Sequence, residues 1–222
     1  MTMTNVVDLI DLEIERLSLL KHPFYKSWSE GKLTVDQLAG YSKEYFQLVR
    51  QVPQLVENVR SKTRDPGFEA EISRNLKEES EHVEPWIQFA GSVGVRRSEL
   101  FEYLGAKRTN DALSELSDLS KLSFEEAVGV MYAYEKELPK ISRSKIDGLA
   151  KFYGLSSYDA VHYFEIHEVA DIKHAALWRK ILQSTPKDRE ASVLSAARRS
   201  LEAQNKLLDS VVEKYCSNVS PN

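Results

Sequence analysis

From Tyr158 to Leu182 the chain contains neither glycine nor proline, and its apolar residues recur at intervals of three and four. That spacing predicts one long helix and is incompatible with a strand. Within it, His167, Asp171 and His174 stand at i, i+4 and i+7, so the three side chains leave the helix along one stripe. Two imidazoles and a carboxylate on one face can chelate a borderline ion such as iron, manganese or zinc. A lone histidine there would read more simply as a polar surface residue. Three ligand-type residues on one stripe favour the metal.

The remaining segments are helical by the same criteria. Nine glycines and seven prolines are few for 222 residues, and two-residue alternation is scarce. The expected fold class is therefore all-α: a single-domain bundle of seven or eight helices over residues 1–222, with a polar tail from about residue 216. Residues 4–20 carry Val7, Ile10, Ile14, Leu17 and Leu20 as an apolar stripe, with Asp8, Asp11 and Glu15 off it. His22-Pro23 ends that helix, and Phe24 to Trp28 forms a short turn with its aromatics inward. Thr34-Val35-Asp36-Gln37 is a capping box that opens a helix to about residue 62, kinked at Pro53. Asp65-Pro66 opens the next, which ends near residues 82–86, and a shorter helix runs through Ser98 to Phe101. Residues 107–119 are the most polar and least periodic segment. A second capping box at Ser123-Phe124-Glu125-Glu126 opens a helix through Val128, Met131, Tyr134 and Glu135. Pro139 bends or interrupts the path into residues 141–153, Ser157 caps the histidine-bearing helix, and Thr185-Pro186 starts the last one.

Charge and cysteine content narrow the partners. With 30 basic and 34 acidic residues, net −4 and no basic run, no nucleic-acid partner is expected. No apolar run approaches a bilayer span and the early Asp8 and Asp11 are unlike a signal peptide, so no membrane partner is expected either. The single cysteine, Cys216, falls in the polar tail; it permits no intrachain disulfide and fits a cytoplasmic location. A homodimer is the expected assembly.

Of the five histidines, His82 also has acids close by, three residues after Glu79 and four after Glu78. Glu-x-x-His pairs from two helices are how bundle proteins build di-iron and di-manganese carboxylate sites. Asp171-Ile172-Lys173-His174 is a second copy with a shorter acid. Glu135 follows the apolar positions of its helix and is the natural further acid, although taken alone it reads equally well as a solvated charge. The candidate ligands are thus Glu79, His82, Glu135, His167, Asp171 and His174. His22, before a proline at a helix end, is read as satisfying free carbonyls, and His162 lies off the stripe. Among ten tyrosines, Tyr25, Tyr41, Tyr45, Tyr134 and Tyr163 face the predicted core, where packing with a hydrogen-bonded hydroxyl is the simplest account. Lys145 would by default be exposed.

Assembled, these residues resemble the family of the chlamydial protein associating with death domains, within the haem-oxygenase-like di-metal oxidases akin to thiaminase II and pyrroloquinoline-quinone synthase C. The resemblance runs over nearly the whole chain: His22-Pro23-Phe24-Tyr25 with Trp28, Tyr41 to Tyr45, Asn75-Leu76 with the acids after it, Tyr134-Glu135, Ile141 to Gly148, and His167-Glu168 through Asp171 to His174. It implies the same six ligands. One departure is that the family pattern has a few more residues between its first Glu and first His, which leaves Glu78, Glu79 and Glu81 as competing carboxylates; alignment from Asn75 favours Glu79. The resemblance further implies an iron–iron or iron–manganese centre that uses dioxygen and a reductant to make p-aminobenzoate for folate. It implies that one of the chain's own tyrosines is consumed, with a lysine as amino donor and no external small-molecule substrate. The matching positions are Tyr25, Tyr41, Tyr134 and Lys145, with Tyr25 the expected ring donor.

Two other readings compete: a conventional di-metal oxygenase acting on a small amine or amino acid, and a non-enzymatic helical protein that binds partner domains. A thiaminase-like hydrolase is disfavoured, because its nucleophile would have to be Cys216.

Overall fold

Capping chemistry sets most helix boundaries in the structure, a computed structural model that describes residues 5–217. Helix α1 (Val6–Arg16) starts where Asn5 and Asp8 exchange side-chain-to-backbone hydrogen bonds. Val7, Ile10 and Ile14 are buried along it as the stripe requires. It stops short of residue 20, which lies in a separate 3-10 turn, Leu19–Lys21; Thr4 falls outside the described residues. His22 then caps α2 (Pro23–Ser29): its Nδ1 accepts the Phe24 N–H at 3.2 Å. The imidazole thus satisfies an amide at a helix start, not the carbonyls of a helix end as expected.

The helix expected over 34–62 is two, α3 (Val35–Val49) and α4 (Val52–Arg60). Pro53 occupies the first turn of α4, where a missing N–H costs nothing, so the chain breaks ahead of the proline instead of kinking at it. Asp65 caps α5 (Pro66–Glu81), and His82 is the joint between it and α6 (Val83–Ser92). After α7 (Arg97–Glu102) comes α8 (Lys107–Ser120). The segment that looked least periodic is therefore an amphipathic helix, burying Ala112, Leu113, Leu116 and Leu119 beneath a charged outer face.

Helix α9 (Phe124–Glu135) opens on the Ser123–Glu126 capping box and is buried at every residue from Ala127 to Glu135. Pro139 lies in the first turn of α10 (Leu138–Phe152), after a break at Lys136-Glu137. Helix α11 (Tyr158–Leu182) is continuous as predicted, and a 3-10 turn, Lys187–Arg189, precedes α12 (Glu190–Tyr215). The fold is all-α, and the joints at 50–51, 82 and 136–137, together with α8 as an additional helix, raise the expected seven or eight helices to twelve among the described residues.

Helix α11 packs against α5, α6, α9 and α10, while α12 crosses α1, α3, α8 and α9 on the far side of the central α9. Gly148 permits a close approach that matters below. A Cβ there would stand 2.7 Å from the Trp28 ring, so its absence lets α10 lie directly on α2. Cys216 is not in a solvated tail: it is 1% exposed at the end of α12, and burial pushes its thiol up to about 11. Among the described residues no helix is long and apolar enough to cross a membrane.

Candidate metal centre

The stripe on α11 faces inward, towards the α5–α6 joint and the last turn of α9. His167, Asp171 and His174 are all buried, and so are Glu79 near the end of α5, His82 at the joint and Glu135 at the end of α9. The structure therefore brings all six candidate ligands together. It also separates the three competing acids, because Glu79 is buried whereas the Glu78 and Glu81 side chains are 47% and 64% exposed.

Two overlapping triads result, Glu79–His82–His167 and Glu79–Asp171–His174, each with its ligand atoms within 4.8 Å of one another. Glu79 belongs to both. His174 Nδ1 lies 3.4 Å from Glu79 Oε1 and from Asp171 Oδ1, and 3.9 Å from Glu135 Oε2. His82 Nδ1 is 3.4 Å from Glu79 Oε2, and the His82 and His167 rings are 4.4 Å apart.

Hydrogen bonding distinguishes this cluster from ordinary buried polar groups, nearly all of which are paired. His82 Nδ1, His174 Nδ1, Glu135 Oε1 and both Asp171 oxygens are buried without a hydrogen-bond partner. Glu44, equally buried, is satisfied: it accepts from the Ala106 amide at 3.0 Å, from Thr109 Oγ1 at 2.7 Å and from the Tyr103 hydroxyl. The unpartnered atoms are those a cation would coordinate, and three imidazoles with three carboxylates suit iron or manganese. The outward atoms are held. His167 Nδ1–H donates to the Tyr163 carbonyl at 2.7 Å, His174 Nε2–H to Glu78 Oε2 at 2.7 Å, and Trp178 Nε1–H to Glu135 Oε2 at 2.5 Å. Outer partners of this kind fix the orientation of metal ligands.

The electrostatics of the protein alone are strained. Burial pushes the Glu135 carboxyl well above the usual range, against the pull of the His174 charge, and burial also raises Asp171. Burial works the same way on Glu79, yet the imidazoles of His174 and His82, each 3.4 Å away, hold it below its ordinary value. Burial alone would lower His174, but the carboxylates of Asp171 and Glu79, each 3.4 Å from its Nδ1, and the charge of Glu135 raise it to about 12. In the metal-free protein the three acids thus favour a proton on His174 Nδ1, the position that a metal ion of higher charge would take, leaving the imidazole neutral.

An aromatic chamber adjoins the cluster. The Tyr163 ring lies 4.1 Å from that of His167, then Trp86 4.7 Å from Tyr163, Tyr45 5.0 Å from Trp86, and Tyr41 5.3 Å from Tyr45. Tyr134 is buried and pairs with Tyr45. Tyr25 is one step further out, its hydroxyl 3.1 Å from that of Tyr41. Lys145 is 4% exposed, contrary to the default for a lysine. Its Nζ donates to the Tyr41 hydroxyl at 2.7 Å and sits 4.8 Å from the Tyr25 ring centre and 5.2 Å from that of Tyr45. Burial drives the amine well below its ordinary value.

Sequence reasoning assigns no site role to Tyr45, Tyr163 or Trp178, although each carries a signal: Tyr163 and Trp178 lie four residues before His167 and four after His174, on the same stripe, and Tyr45 lies four after Tyr41. Glu78, a competing ligand in the sequence, lies instead outside the cluster against His174. His162 stacks on Tyr158 at 4.2 Å, away from the cluster.

Known proteins are similar to this chain over most of its length. A family described as an iron-containing redox enzyme matches residues 39–205. The chain is 34% identical to a 4-aminobenzoate synthase of Nitrosomonas europaea, the alignment covering 95% of this chain and 92% of that protein. It is also 34% identical to a 4-aminobenzoate synthase of Chlamydia pneumoniae, with 82% and 83% covered. In fold it is similar to a TenA homologue of Pseudomonas syringae, with a TM-score of 0.80 at 16% identity, covering 94% of this chain and 91% of that one.

Proposed function

The chain belongs to the family of iron-containing redox enzymes with the haem-oxygenase-like fold, and on that premise we propose that it is a 4-aminobenzoate synthase that uses its own side chains as substrate. The observation that carries this reading is Lys145, a buried amine whose charged form burial disfavours, against the ring of Tyr25 and bonded to Tyr41. An iron–iron or iron–manganese pair held by Glu79, His82, Glu135, His167, Asp171 and His174 would supply oxidation by dioxygen, with electrons from a reductant.

The chain's own residues do the rest. A tyrosine side chain already has its hydroxyl para to Cβ, as 4-aminobenzoate has its amine para to the carboxyl. Cβ of Tyr25 therefore becomes the carboxyl carbon once its bond to Cα is cleaved and dioxygen, with the reductant, oxidises it, and nitrogen released from Cε of Lys145 replaces the phenol oxygen, which leaves as water. Burial holds the Tyr25, Tyr41 and Tyr134 phenols protonated by raising them well above the ordinary tyrosine value. Oxidation of any of them must then move a proton with the electron. The Tyr25–Tyr41–Lys145 hydrogen bonds give that proton a path, with Tyr41 and Tyr134 as relays towards the ligands. Packed aromatic walls keep bulk water from the amine. The working setting is the cytoplasm, as a homodimer, with no nucleic-acid, membrane or external small-molecule partner.

The decisive experiment supplies reduced, metal-loaded protein with dioxygen and no other carbon source. It should release at most about one 4-aminobenzoate per chain, carrying label from ring-labelled tyrosine, and none should form from Tyr25→Phe or Lys145→Arg. Many turnovers per chain, or unlabelled product from an added small molecule, would instead mark a conventional oxygenase.

A further inference from the structure

Of the three histidines in the cluster, His174 is the one whose outward nitrogen is held by a side chain. We propose that Glu78 is a positioning residue for the metal centre: its carboxylate takes the Nε2–H of His174 and so presents Nδ1 as the coordinating nitrogen. This rests on the metal-centre reading above.

A neutral imidazole has one N–H and one lone pair, and whichever nitrogen donates leaves the other free to coordinate. The 2.7 Å bond from His174 Nε2 to Glu78 Oε2 assigns the proton outward. Nδ1 is then the buried, unpartnered atom that faces Glu79, Asp171 and Glu135. His167 needs no such help, since the backbone carbonyl of Tyr163, one turn earlier on the same helix, holds its Nδ1–H.

The sequence position of Glu78 suits an outer role. It precedes Glu79 by one residue on α5, so the two side chains diverge by about 100° around the helix and cannot both point into the cluster. Glu78 instead reaches the far edge of the His174 ring from outside. There it lines a surface cavity of about 180 Å³ together with Asn75, Arg74, Lys173 and His174. Neither Arg74 nor Lys173 pairs with it; among the described residues its ion-pair partner is His174. The amide of Asn75, buried on the same cavity wall, has no protein partner either, so Glu78 is the one wall group that grips the ring.

Metal-free wild type, Glu78→Ala, Glu78→Gln and Glu81→Ala are titrated anaerobically with manganese and with iron. Stoichiometry and affinity are read directly, and matched melting of the metal-free proteins shows each is folded. Glu78→Ala should bind about 10- to 100-fold more weakly. Glu78→Gln, whose amide oxygen still accepts the Nε2–H, should stay within a few-fold of wild type, as should Glu81→Ala. In zinc-loaded protein labelled at the histidine nitrogens, His174 should show the Nε2-protonated tautomer, and Glu78→Ala should lose that preference. Wild-type affinity in Glu78→Ala overturns the proposal. A Glu78→Gln as weak as Glu78→Ala also overturns it, because the carboxylate charge or direct ligation would then be what matters. A wild type that binds no metal at all removes the metal-centre reading itself, a result distinct from either.

Discussion

Lys145 shows how far one residue can depart from its usual habit when the neighbours are right. Its Nζ is surrounded by the rings of Tyr25, Trp28, Tyr41, Tyr45 and Phe164, and among the described residues its hydrogen-bond acceptor is the Tyr41 hydroxyl. With no carboxylate pairing with it among the described residues, burial decides the balance and the folded-state value falls well below the ordinary one. Between that lowered value and about 10.4, the unfolded chain binds a proton that the native chain does not. Stability contributed by this group therefore rises with pH across the window and is lost as pH falls. In metal-free protein the stability of wild type relative to Lys145→Met should rise between pH 7.5 and 9.5 by up to about 1.4 kcal/mol per pH unit. Urea unfolding at several pH values checks this, and parallel pH profiles for the two proteins would show that Lys145 is charged in the fold.

At the scale of the helix, α11 and α8 make opposite cases. Helix α11 carries three candidate ligands on a stripe that continues to Tyr163 and Trp178, so the candidate site and the packing share one face. Changing His167 or His174 to Ala should abolish bound metal while circular dichroism stays close to wild type, because the apolar residues Phe164, Leu177, Trp178 and Ile181 still bury the helix. A large loss of helicity would mean that the ligands hold the helix and not the reverse. Helix α8 looked like a polar connector, yet Leu116 is 1% exposed. Leu116→Ala should cost about 2–5 kcal/mol in urea unfolding, as for other buried leucines. A cost below about 1 kcal/mol would return α8 to the surface.

For the whole molecule, six buried ionisable groups at one point are a liability to the metal-free fold, since unpartnered buried charge is expensive. A ligand bound only by the native state stabilises it by mass action. Anaerobic iron or manganese at about 100 times its dissociation constant should add about 2.7 kcal/mol and raise the melting temperature. The gain should be absent in His167→Ala. An unchanged melting temperature in wild type would mean that the cluster is a self-satisfied polar core. The neighbouring aromatic chamber depends on the same whole-molecule packing: α2, α3 and α11 each contribute a wall around Lys145, which stands on α10.

What could be read from the sequence is what repeats along one helix. Capping boxes at Thr34 and Ser123, the Asp65-Pro66 start and the i, i+4, i+7 order of His167, Asp171 and His174 are local patterns, and local patterns survive without the fold. The Glu-x-x-His pair likewise placed His82 beside an acid. Which acid, the sequence left open: Glu78, Glu79 and Glu81 differ by steps of about 100° around one helix, and only the position of α11 opposite α5 makes Glu79 the inward one. The same holds for Lys145, whose burial comes from α2 closing over Gly148, and for Cys216, buried because α12 reaches back across α3. Periodicity tells which residues share a face; what stands opposite that face is decided by contacts between distant parts of the chain.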